Sequence, residues 1–371
     1  MARDAIVAAL LDPAGTLGLG EPAWDLLIRQ GRRANLLARL AHVLNDAGLL
    51  EQVPEAPRQH LRSALLMVER QHLAMHWEVN CIRLALAEAI QPVVLLKGAA
   101  YVMAGLPAAH GRTFSDVDVL VPRALLDQAE SRLMIHGWQG SHHDEYDQRY
   151  YRRWMHEIPP MRHISRGTTI DLHHAILPET ARVKVDNAAL LGAAIPLDGQ
   201  PGLFVLRPVD MLLHSATHLF HEGELGNGLR DLFDLDGLFR HFGQTPGFWE
   251  ALAPRARALG LGRPLYYAIR YVRMLLDTPI PERVVEAVAS FAPTGPVRAL
   301  QDFCYRRMLR PHHASCRDWG THPAALLLYV RSHWLRMPFF LLAAHLTRKA
   351  FTRPKLPKLE PGLGKDAGQE G

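Results

Sequence analysis

Several features that mark specialised classes of protein are scarce in this sequence. Its 371 residues contain only three cysteines, Cys81, Cys304 and Cys316, which lie far apart and form no Cys-x-x-Cys pair. The sequence therefore argues against a disulfide scaffold and a structural zinc site, and it favours a reducing, cytoplasmic compartment. The N-terminal residues also lack the charged and then apolar pattern of a secretion signal, so export is not expected.

Long apolar runs are missing as well. The longest run near the C-terminus covers residues 337–346, about half of the roughly 20 residues that a membrane-spanning helix needs. We therefore expect no segment to cross a bilayer. Hydrophobic residues make up 48% of the chain and charged residues 21%, which is typical of a globular protein that buries a core.

Acidic residues are absent between Trp319 and Leu359, so the formal net charge of +5 is concentrated near the C-terminus. Two interpretations of residues 324–349 stay open. The preferred one is a helix packed on the rest of the protein with a basic outer face, and the other is a helix lying on an anionic membrane surface. The basic residues of the acid-free stretch are Arg331, Arg336, Arg348, Lys349, Arg353, Lys355 and Lys358.

The pattern of apolar residues predicts an α+β protein with four regions. Leu36, Leu37, Leu40 and Val43 follow helical spacing, whereas the short apolar run 92–96 is typical of a buried strand. A strand–helix–strand–helix–strand order follows that run, and helices dominate again from Pro208. The predicted regions are N-terminal helices (1–90), an α/β core (91–207), a C-terminal helical domain (208–350) and a flexible tail (351–371). The predicted strands after the first are 114–121, 157–161 and 168–173.

An Asp-x-Asp pair lies on the second predicted strand, in the sequence Phe-Ser-Asp-Val-Asp-Val-Leu-Val. Residues two apart on a strand face the same side, about 6–7 Å apart, so Asp116 and Asp118 form a pair of carboxylates. Like charges so close repel each other unless a cation lies between them. Mg²⁺ binds a few carboxylates together with substrate phosphates, and two such ions can assist a phosphoryl displacement. The pair is therefore a candidate metal site.

Other residues of the core complete this candidate site. Asp171 and His173 share one face of the next strand, where Asp171 is a candidate third carboxylate and catalytic base, and His173 a candidate contact to substrate phosphate. Lys97 and Gly98 form a turn between an apolar strand and a helix, which favours binding of anionic phosphate. Arg112 is a candidate second phosphate clamp. Ser115, next to the pair, is included among the candidate nucleotide-binding residues.

These segments together resemble the DNA-polymerase-β-like nucleotidyltransferases. The closer resemblance is to a bacterial group of uncharacterised nucleotidyltransferases with a Leu-Lys-Gly turn, an Asp-x-Asp strand and an Asp-Leu-His strand, here at 96–98, 116–118 and 171–173. The stretches 157–160 and 228–232 resemble that group too, and the resemblance covers roughly residues 60–275. It implies a polymerase-β-like α/β core, Asp116, Asp118 and Asp171 as metal ligands, and Lys97 and Gly98 in the triphosphate-binding turn.

The resemblance also implies a function. We expect a Mg²⁺- or Mn²⁺-dependent enzyme that transfers a nucleoside monophosphate, with AMP from ATP preferred, to the hydroxyl of a small molecule, a peptide or a protein. Nucleic acid is disfavoured as the acceptor because basic residues do not cluster around the Asp strand. The alternative is a non-catalytic module of the same fold that docks on a membrane or a protein partner through its basic C-terminal end.

Two further groups of polar residues have plainer interpretations. His214, His218 and His221 share one helical face, but the Glu of a zinc protease motif is missing, so a packed or cleft-lining face is preferred to a metal site. Two interpretations stay open for a second group on a later helix: its residues line the mouth of the site, or they form an acidic helix surface on which Arg230 pairs with Asp234 one turn later. The surface is preferred for Asp236, and neither is preferred for Arg230. The group consists of Arg230, Asp231, Asp234 and Asp236.

Overall fold

The computed structural model describes residues 3–140, 154–221, 223 and 225–336. Several features predicted from the sequence lie outside these residues. They are the second half of the basic segment (337–349), the tail (351–371) and the polar run His142, His143, Asp144 and Glu145.

The described residues form a mixed sheet of seven strands in the order β3-β4-β5-β2-β1-β7-β6. β2 pairs in parallel with β5, and β1 pairs in parallel with β7, while the other neighbours are antiparallel. All three residues of β1 are buried, as expected for a central strand covered on both faces. The strands are β1 (Val93–Leu95), β2 (Asp116–Leu120), β3 (Trp138–Gly140), β4 (Met161–His163), β5 (Thr169–His173), β6 (Ile195–Pro196) and β7 (Leu203–Val205).

Helices precede the sheet, connect its strands and follow it. The four N-terminal helices are α1 (Ala5–Leu11), α2 (Glu21–Arg33), α3 (Leu37–Asp46) and α4 (Glu55–Leu86). The helices within the sheet region are α5 (Lys97–Met103), α6 (Leu126–Ile135) and α7 (Asn187–Leu191). The C-terminal helices are α8 (Pro208–His221), α9 (Gly228–Phe242), α10 (Phe248–Ala258), α11 (Gly262–Leu276), α12 (Glu282–Val288), α13 (Gly295–Met308) and α14 (Thr321–Arg336).

One hydrophobic core joins the helices to the sheet. It includes Leu40 of α3, Val94 of β1 and Leu235 of α9, none of which is exposed to solvent. The α+β fold class predicted from the sequence is confirmed. The division of the chain into regions at residues 91 and 208 stays a prediction, since the core is continuous across both positions.

The strand predicted for residues 157–161 is wrong in its position. Glu157 makes an isolated bridge with His173, and the strand β4 begins only at Met161. Pro159 and Pro160 lie between them, and proline has no N–H to donate to a strand ladder. The bridge places Glu157 next to His173, a residue of the candidate site.

Helix α14 contains the described part of the basic segment. It packs through Ala324, Leu328 and Ser332, and Nη1 of Arg331 donates a hydrogen bond of 2.8 Å to the carbonyl of Phe220 at the end of α8. Packing of this part against the protein agrees with the preferred interpretation. Its outer face is apolar rather than basic, however, with Leu326, Val330 and Trp334 exposed. None of the described helices is both long and apolar enough to span a membrane.

Candidate active site

Three carboxylates predicted from separate segments lie on two neighbouring strands. In the parallel pairing of β2 with β5, Asp118 is opposite Asp171, and Asp116 lies two residues before Asp118 on the same side. Adjacent strands are about 4.8 Å apart, so the three side chains share one small area on one face of the sheet. Val117 and Val119 point to the other face and are buried in the core. The structure therefore brings together all three predicted acidic residues.

Asp118 is the most strongly paired of the three. Its Oδ1 accepts a hydrogen bond of 2.7 Å from Nζ of Lys97 and lies 2.9 Å from Nε2 of His173. Burial would raise the pKa of Asp118, but the neighbouring charges of Lys97 and His173 outweigh it and hold that pKa well below its usual range. Asp118 is therefore ionised, with its negative charge balanced by groups of the protein.

The negative charges of Asp171 and Asp116 are balanced much less by neighbouring groups. Oδ1 of Asp171 is buried without a hydrogen-bond partner among the described residues. Burial, followed by repulsion from Asp118, Glu157 and Asp116, raises the pKa of Asp171 to about 7. Burial and then Asp118 also raise the pKa of Asp116, although the charge of Lys97 and a hydrogen bond from Ser115 partly oppose this. The site thus holds two acidic groups whose charge the protein leaves under-compensated.

Lys97 occupies the turn between β1 and α5 and has an unusual backbone conformation. Its φ of 45° lies in the left-handed region, which non-glycine residues adopt rarely and at a cost of about 1–2 kcal/mol. Burial opposes the charge of Lys97, but Asp118 outweighs burial and raises the pKa of the ammonium group. Such strain is found mainly where a side chain must be held in a fixed place, here against Asp118.

Gly98 is needed because two side chains lie directly against it. A methyl group at this position would overlap with Nη1 of Arg112 and would lie 2.5 Å from the ring of Phe114. The sequence suggested that Gly98 permits close approach of a phosphate. In the structure, Arg112 and Phe114 make this close approach, and the guanidinium also lies 5.1 Å from the centre of the Phe114 ring.

Arg112 belongs to a buried cluster around Asp234. Its Nε donates to Oδ2 of Asp234 at 2.7 Å, and Nη2 of Arg39 donates to Oδ1 at 2.7 Å. Of the two interpretations left open for Arg230, the pair with Asp234 is wrong, because Arg230 bonds to Asp231 at 2.7 Å and Asp234 is buried in the interior. Two guanidinium groups against one carboxylate leave one positive charge beside the site. Arg112 could therefore attract a phosphate, although it is already bonded to Asp234.

Two cavities meet at the carboxylates, and Lys97, Asp116 and His218 line both. The first, here called the arginine cavity, has a volume of about 390 Å³ and is bordered by Gly98 and Arg112. The second, here called the histidine cavity, has a volume of about 310 Å³ and contains Asp171 in its wall. The histidine cavity takes its name from His156, His173, His214, His218 and His221. A reaction between two bound molecules could therefore take place across the carboxylates.

The three histidines of α8 line the histidine cavity and form no metal-ligating group with one another. Burial lowers the pKa of His214 to about 3 and that of His221 to about 4, so both are neutral near pH 7. This agrees with the cleft-lining interpretation. Among the described residues, His156, Glu157 and His173 are the one group of three His, Cys, Asp or Glu side chains whose ligand atoms all lie within 4.8 Å of one another, and the three aspartates do not meet this distance.

The sequence did not single out His156 or assign a role to Glu157. Glu157 appeared there only within a stretch shared with a resembling family, and His156 gave no signal. Both reach the site through the bridge between Glu157 and His173 on β5. A pairing between distant segments leaves no periodic pattern in the sequence, so the structure was needed to place them.

Comparison with protein-family models gives a match over residues 20–277 to the family described as an uncharacterised nucleotidyltransferase. The matched range covers more than half of the chain and includes both Asp strands and the Lys97 turn. The chain belongs to this family. The resemblance stated from the sequence is thereby confirmed, and membership supports a role in nucleotidyl transfer in general. No curated protein matches the chain, and no solved structure does so either.

Nucleotidyltransferases generally use a nucleoside triphosphate and a divalent metal, and the acidic residues of this family member fit such a cation. Carboxylate oxygens are the ligands that Mg²⁺ prefers. The unpaired Oδ1 of Asp171 and the raised pKa values of Asp171 and Asp116 are what repelling carboxylates show when no cation offsets their charge. The assignment of Asp116, Asp118 and Asp171 as ligands of the cation stays a prediction from the sequence.

Proposed function

We propose that this protein transfers a nucleoside monophosphate, preferentially AMP from ATP, to the hydroxyl group of an acceptor and releases pyrophosphate. The observation that carries the proposal is the position of Asp171. Its buried, unpaired carboxylate oxygen lies beside Asp116 and Asp118, in the wall of one cavity and next to another. This arrangement suits a reaction between a nucleotide on one side and an acceptor on the other.

The arginine cavity is the proposed site for the triphosphate. Lys97 and the net positive charge of the cluster of Arg39, Arg112 and Asp234 lie on its wall or directly behind it and would attract the phosphates. Ser115, which also lines this cavity, has one hydroxyl hydrogen, and rotation of the hydroxyl would turn it from Asp116 to a phosphate oxygen. When bound, Mg²⁺ or Mn²⁺ would neutralise phosphate charge and polarise the α-phosphate.

The histidine cavity is the proposed site for the acceptor. A hydroxyl oxygen placed next to Asp171 would form a bond to the α-phosphorus as the bond from that phosphorus to the β-phosphate oxygen breaks. Asp171 would take the hydroxyl proton, and pyrophosphate would leave with the bonding electrons. His173, through its contact with Asp118, keeps that carboxylate in place during the transfer.

The test is transfer of label from triphosphates that carry ³²P on the α-phosphate, incubated with the protein, Mg²⁺ or Mn²⁺, and a cell extract that supplies acceptors. We expect a labelled product with the wild type. Asp116→Asn and Asp171→Asn should each lower the rate by about 1,000-fold, equivalent to about 4 kcal/mol of transition-state stabilisation. Asp25→Asn, an exposed residue paired with Arg29, is the matched control and should keep full activity.

Two results would overturn this proposal. Equal turnover by the wild type and Asp116→Asn would remove the carboxylates from the mechanism. Nucleotide binding by the wild type without transfer to any acceptor would favour the alternative of a non-catalytic module. Label appearing in RNA or DNA rather than in small molecules or protein would leave the transfer chemistry intact and change the acceptor class.

A further inference from the structure

We propose that His156, Glu157 and His173 bind a transition-metal cation, best matched by Zn²⁺, in a site separate from that of the three aspartates. One ligand atom from each residue lies within 4.8 Å of the other two. Two imidazole nitrogens and one carboxylate are the protein ligands of many catalytic zinc sites, which keep a further position open. This ligand set differs in kind from the all-oxygen set that suits Mg²⁺.

The backbone holds two of the three ligands side by side. Glu157 and His173 are directly opposite in an antiparallel bridge. The N–H of Ile158 donates to the carbonyl of Leu172 at 3.1 Å, and the N–H of His174 donates to the carbonyl of His156 at 2.9 Å. These two bonds flank the pair, so Glu157 and His173 form a non-hydrogen-bonded pair, in which side chains on the same face come closest.

His173 lies between the proposed ligand Glu157 and Asp118. Its Nε2 lies 2.9 Å from Oδ1 of Asp118, and its Nδ1 lies 3.2 Å from Oε2 of Glu157. A metal ion takes the place of a proton on its ligand, so a cation at Nδ1 would displace the proton shared with Glu157 and leave Nε2 donating to Asp118. Histidines that bind metals commonly donate their other ring nitrogen to a carboxylate in this way, which fixes both tautomer and ring orientation.

His156 supplies an independent indication of a ligand. Its Nδ1 is buried and has no hydrogen-bond partner in the part of the chain that the structure describes. The ring lies 5.4 Å from that of His173, centre to centre, so both imidazoles border the same small space. A buried polar atom without a partner is costly, and a cation shared with Glu157 and His173 would remove that cost.

All three proposed ligands line the histidine cavity together with Asp171. An oxygen atom of the acceptor could complete the coordination there. This last step rests on the proposed transferase function, whereas binding of the metal itself does not.

Cobalt binding tests the site directly, because Co²⁺ replaces Zn²⁺ and gives visible absorption bands that are strong at four or five ligands. The full-length protein, first freed of metal with a chelator, is titrated with Co²⁺ and then with Zn²⁺ in an excess of Mg²⁺. We expect one Co²⁺ per chain, displaced by Zn²⁺ and unaffected by Mg²⁺. His156→Gln and Glu157→Gln should each weaken binding by about 100-fold or more, since loss of outer-shell partners alone costs about 10–100-fold.

Two controls separate this site from its neighbours. His221→Gln changes another histidine of the same cavity, and the glutamine can still donate to the carbonyl of Thr217, so Co²⁺ binding should be unchanged. Asp116→Asn should lose transferase activity and keep Co²⁺ binding. Metal binding by a protein without transferase activity would therefore reject only the proposed function.

Three results would overturn the proposed metal site. They are the absence of Co²⁺ binding by the wild type, displacement of Co²⁺ by Mg²⁺, and unchanged binding in both His156→Gln and Glu157→Gln. If these variants fail to fold, X-ray absorption spectroscopy of the Zn²⁺-loaded wild type tests the ligands directly. It should show two imidazole ligands at about 2.0–2.1 Å, and a sulfur ligand or an all-oxygen shell would reject the assignment.

Discussion

Two groups of buried aspartates in this protein have opposite electrostatic surroundings. Asp234 lies between Arg39 and Arg112, each of which donates a hydrogen bond of 2.7 Å. Burial would raise the pKa of Asp234, but the two guanidinium groups outweigh it and lower that pKa. Asp171 lies beside other carboxylates and has a pKa raised to about 7. The protein therefore balances the negative charge of Asp234, whereas the charge of Asp171 is repelled by neighbouring carboxylates.

This difference separates residues that hold the fold from residues available for chemistry. Forming a buried ion pair costs the free energy of removing both charges from water. Loss of one partner then leaves a buried charge without compensation, so the fold depends on both. A carboxylate with a raised pKa and an unpaired oxygen destabilises the fold unless a ligand offsets its charge, so such groups are concentrated at functional sites. The acidic residues themselves look alike in the sequence, and only their neighbours distinguish them.

The largest expected effect comes from breaking the compensated group. Asp234→Asn removes the charge that Arg39 and Arg112 share, and we expect it to lower the free energy of unfolding by about 3–5 kcal/mol at pH 7. Because the folded pKa of Asp234 is below the ordinary value of 3.8, this stabilisation is full above about pH 4 and is lost as the pH falls further. Urea unfolding of wild type and variant between pH 7 and pH 3 measures it.

The matched control is Asp25→Asn, since Asp25 pairs with Arg29 on the surface of α2. Exposed pairs of this kind contribute less than about 1 kcal/mol. Equal losses of stability in Asp234→Asn and Asp25→Asn would show that burial of the Asp234 cluster has no energetic consequence.

The second largest effect is expected at Gly98, which lies between Arg112 of the Asp234 cluster and the cavity of the candidate site. Gly98→Ala would place a methyl group against Arg112 and Phe114, so one or both side chains must move. We expect a loss of about 1–3 kcal/mol in stability, as for other overpacked sites, together with weaker nucleotide binding. Gly18→Ala, where an added methyl group meets no atom within 4 Å, should change stability by less than about 0.5 kcal/mol. Thermal unfolding with and without ATP would compare the two variants.

The smallest effect should have opposite signs at two neighbouring positions. In chelator-treated protein, Asp171→Asn relieves repulsion and should raise the free energy of unfolding by about 1 kcal/mol. Asp118→Asn leaves Lys97 and His173 without their shared carboxylate and should lower it. Urea unfolding distinguishes the signs, and a loss of stability in both variants would mean that Asp171 is compensated after all.

Much of the fold could be predicted from the sequence, because the elements concerned carry a periodic or continuous apolar pattern. The strands β1, β2 and β5 and the helices from α8 to α11 belong to this class. The strands β3 and β6 have three and two residues and no apolar run, so nothing predicted them. β7 was not predicted either, although residues 203–206 form an apolar run like that of β1. The strand expected at 157–161 failed because apolar Ile158 and Met161 flank two prolines that interrupt pairing.

Part of the candidate site could also be predicted from the sequence, and part could not. The alternation along β2 and β5 predicted that Asp116, Asp118 and Asp171 face one side, and pairing of these two strands gives them a common location. The partners of Lys97 and Arg112 could not be predicted, since Asp118 and Asp234 meet them only through tertiary packing. Glu157 lies at the site because it forms a single β-bridge with His173, and no local sequence pattern predicts such a bridge.

The pairing of β2 with β5 also determines when the site can form during synthesis. Residues 116–120 have no parallel partner until residues 169–173 have been made, and β1 receives its second neighbour only with residues 203–205. Contacts between segments so far apart in the chain form slowly, because a long loop must close first. A growing chain therefore carries Asp116 and Asp118 for about fifty residues without Asp171, and the three aspartates can come together only after β5 has emerged from the ribosome.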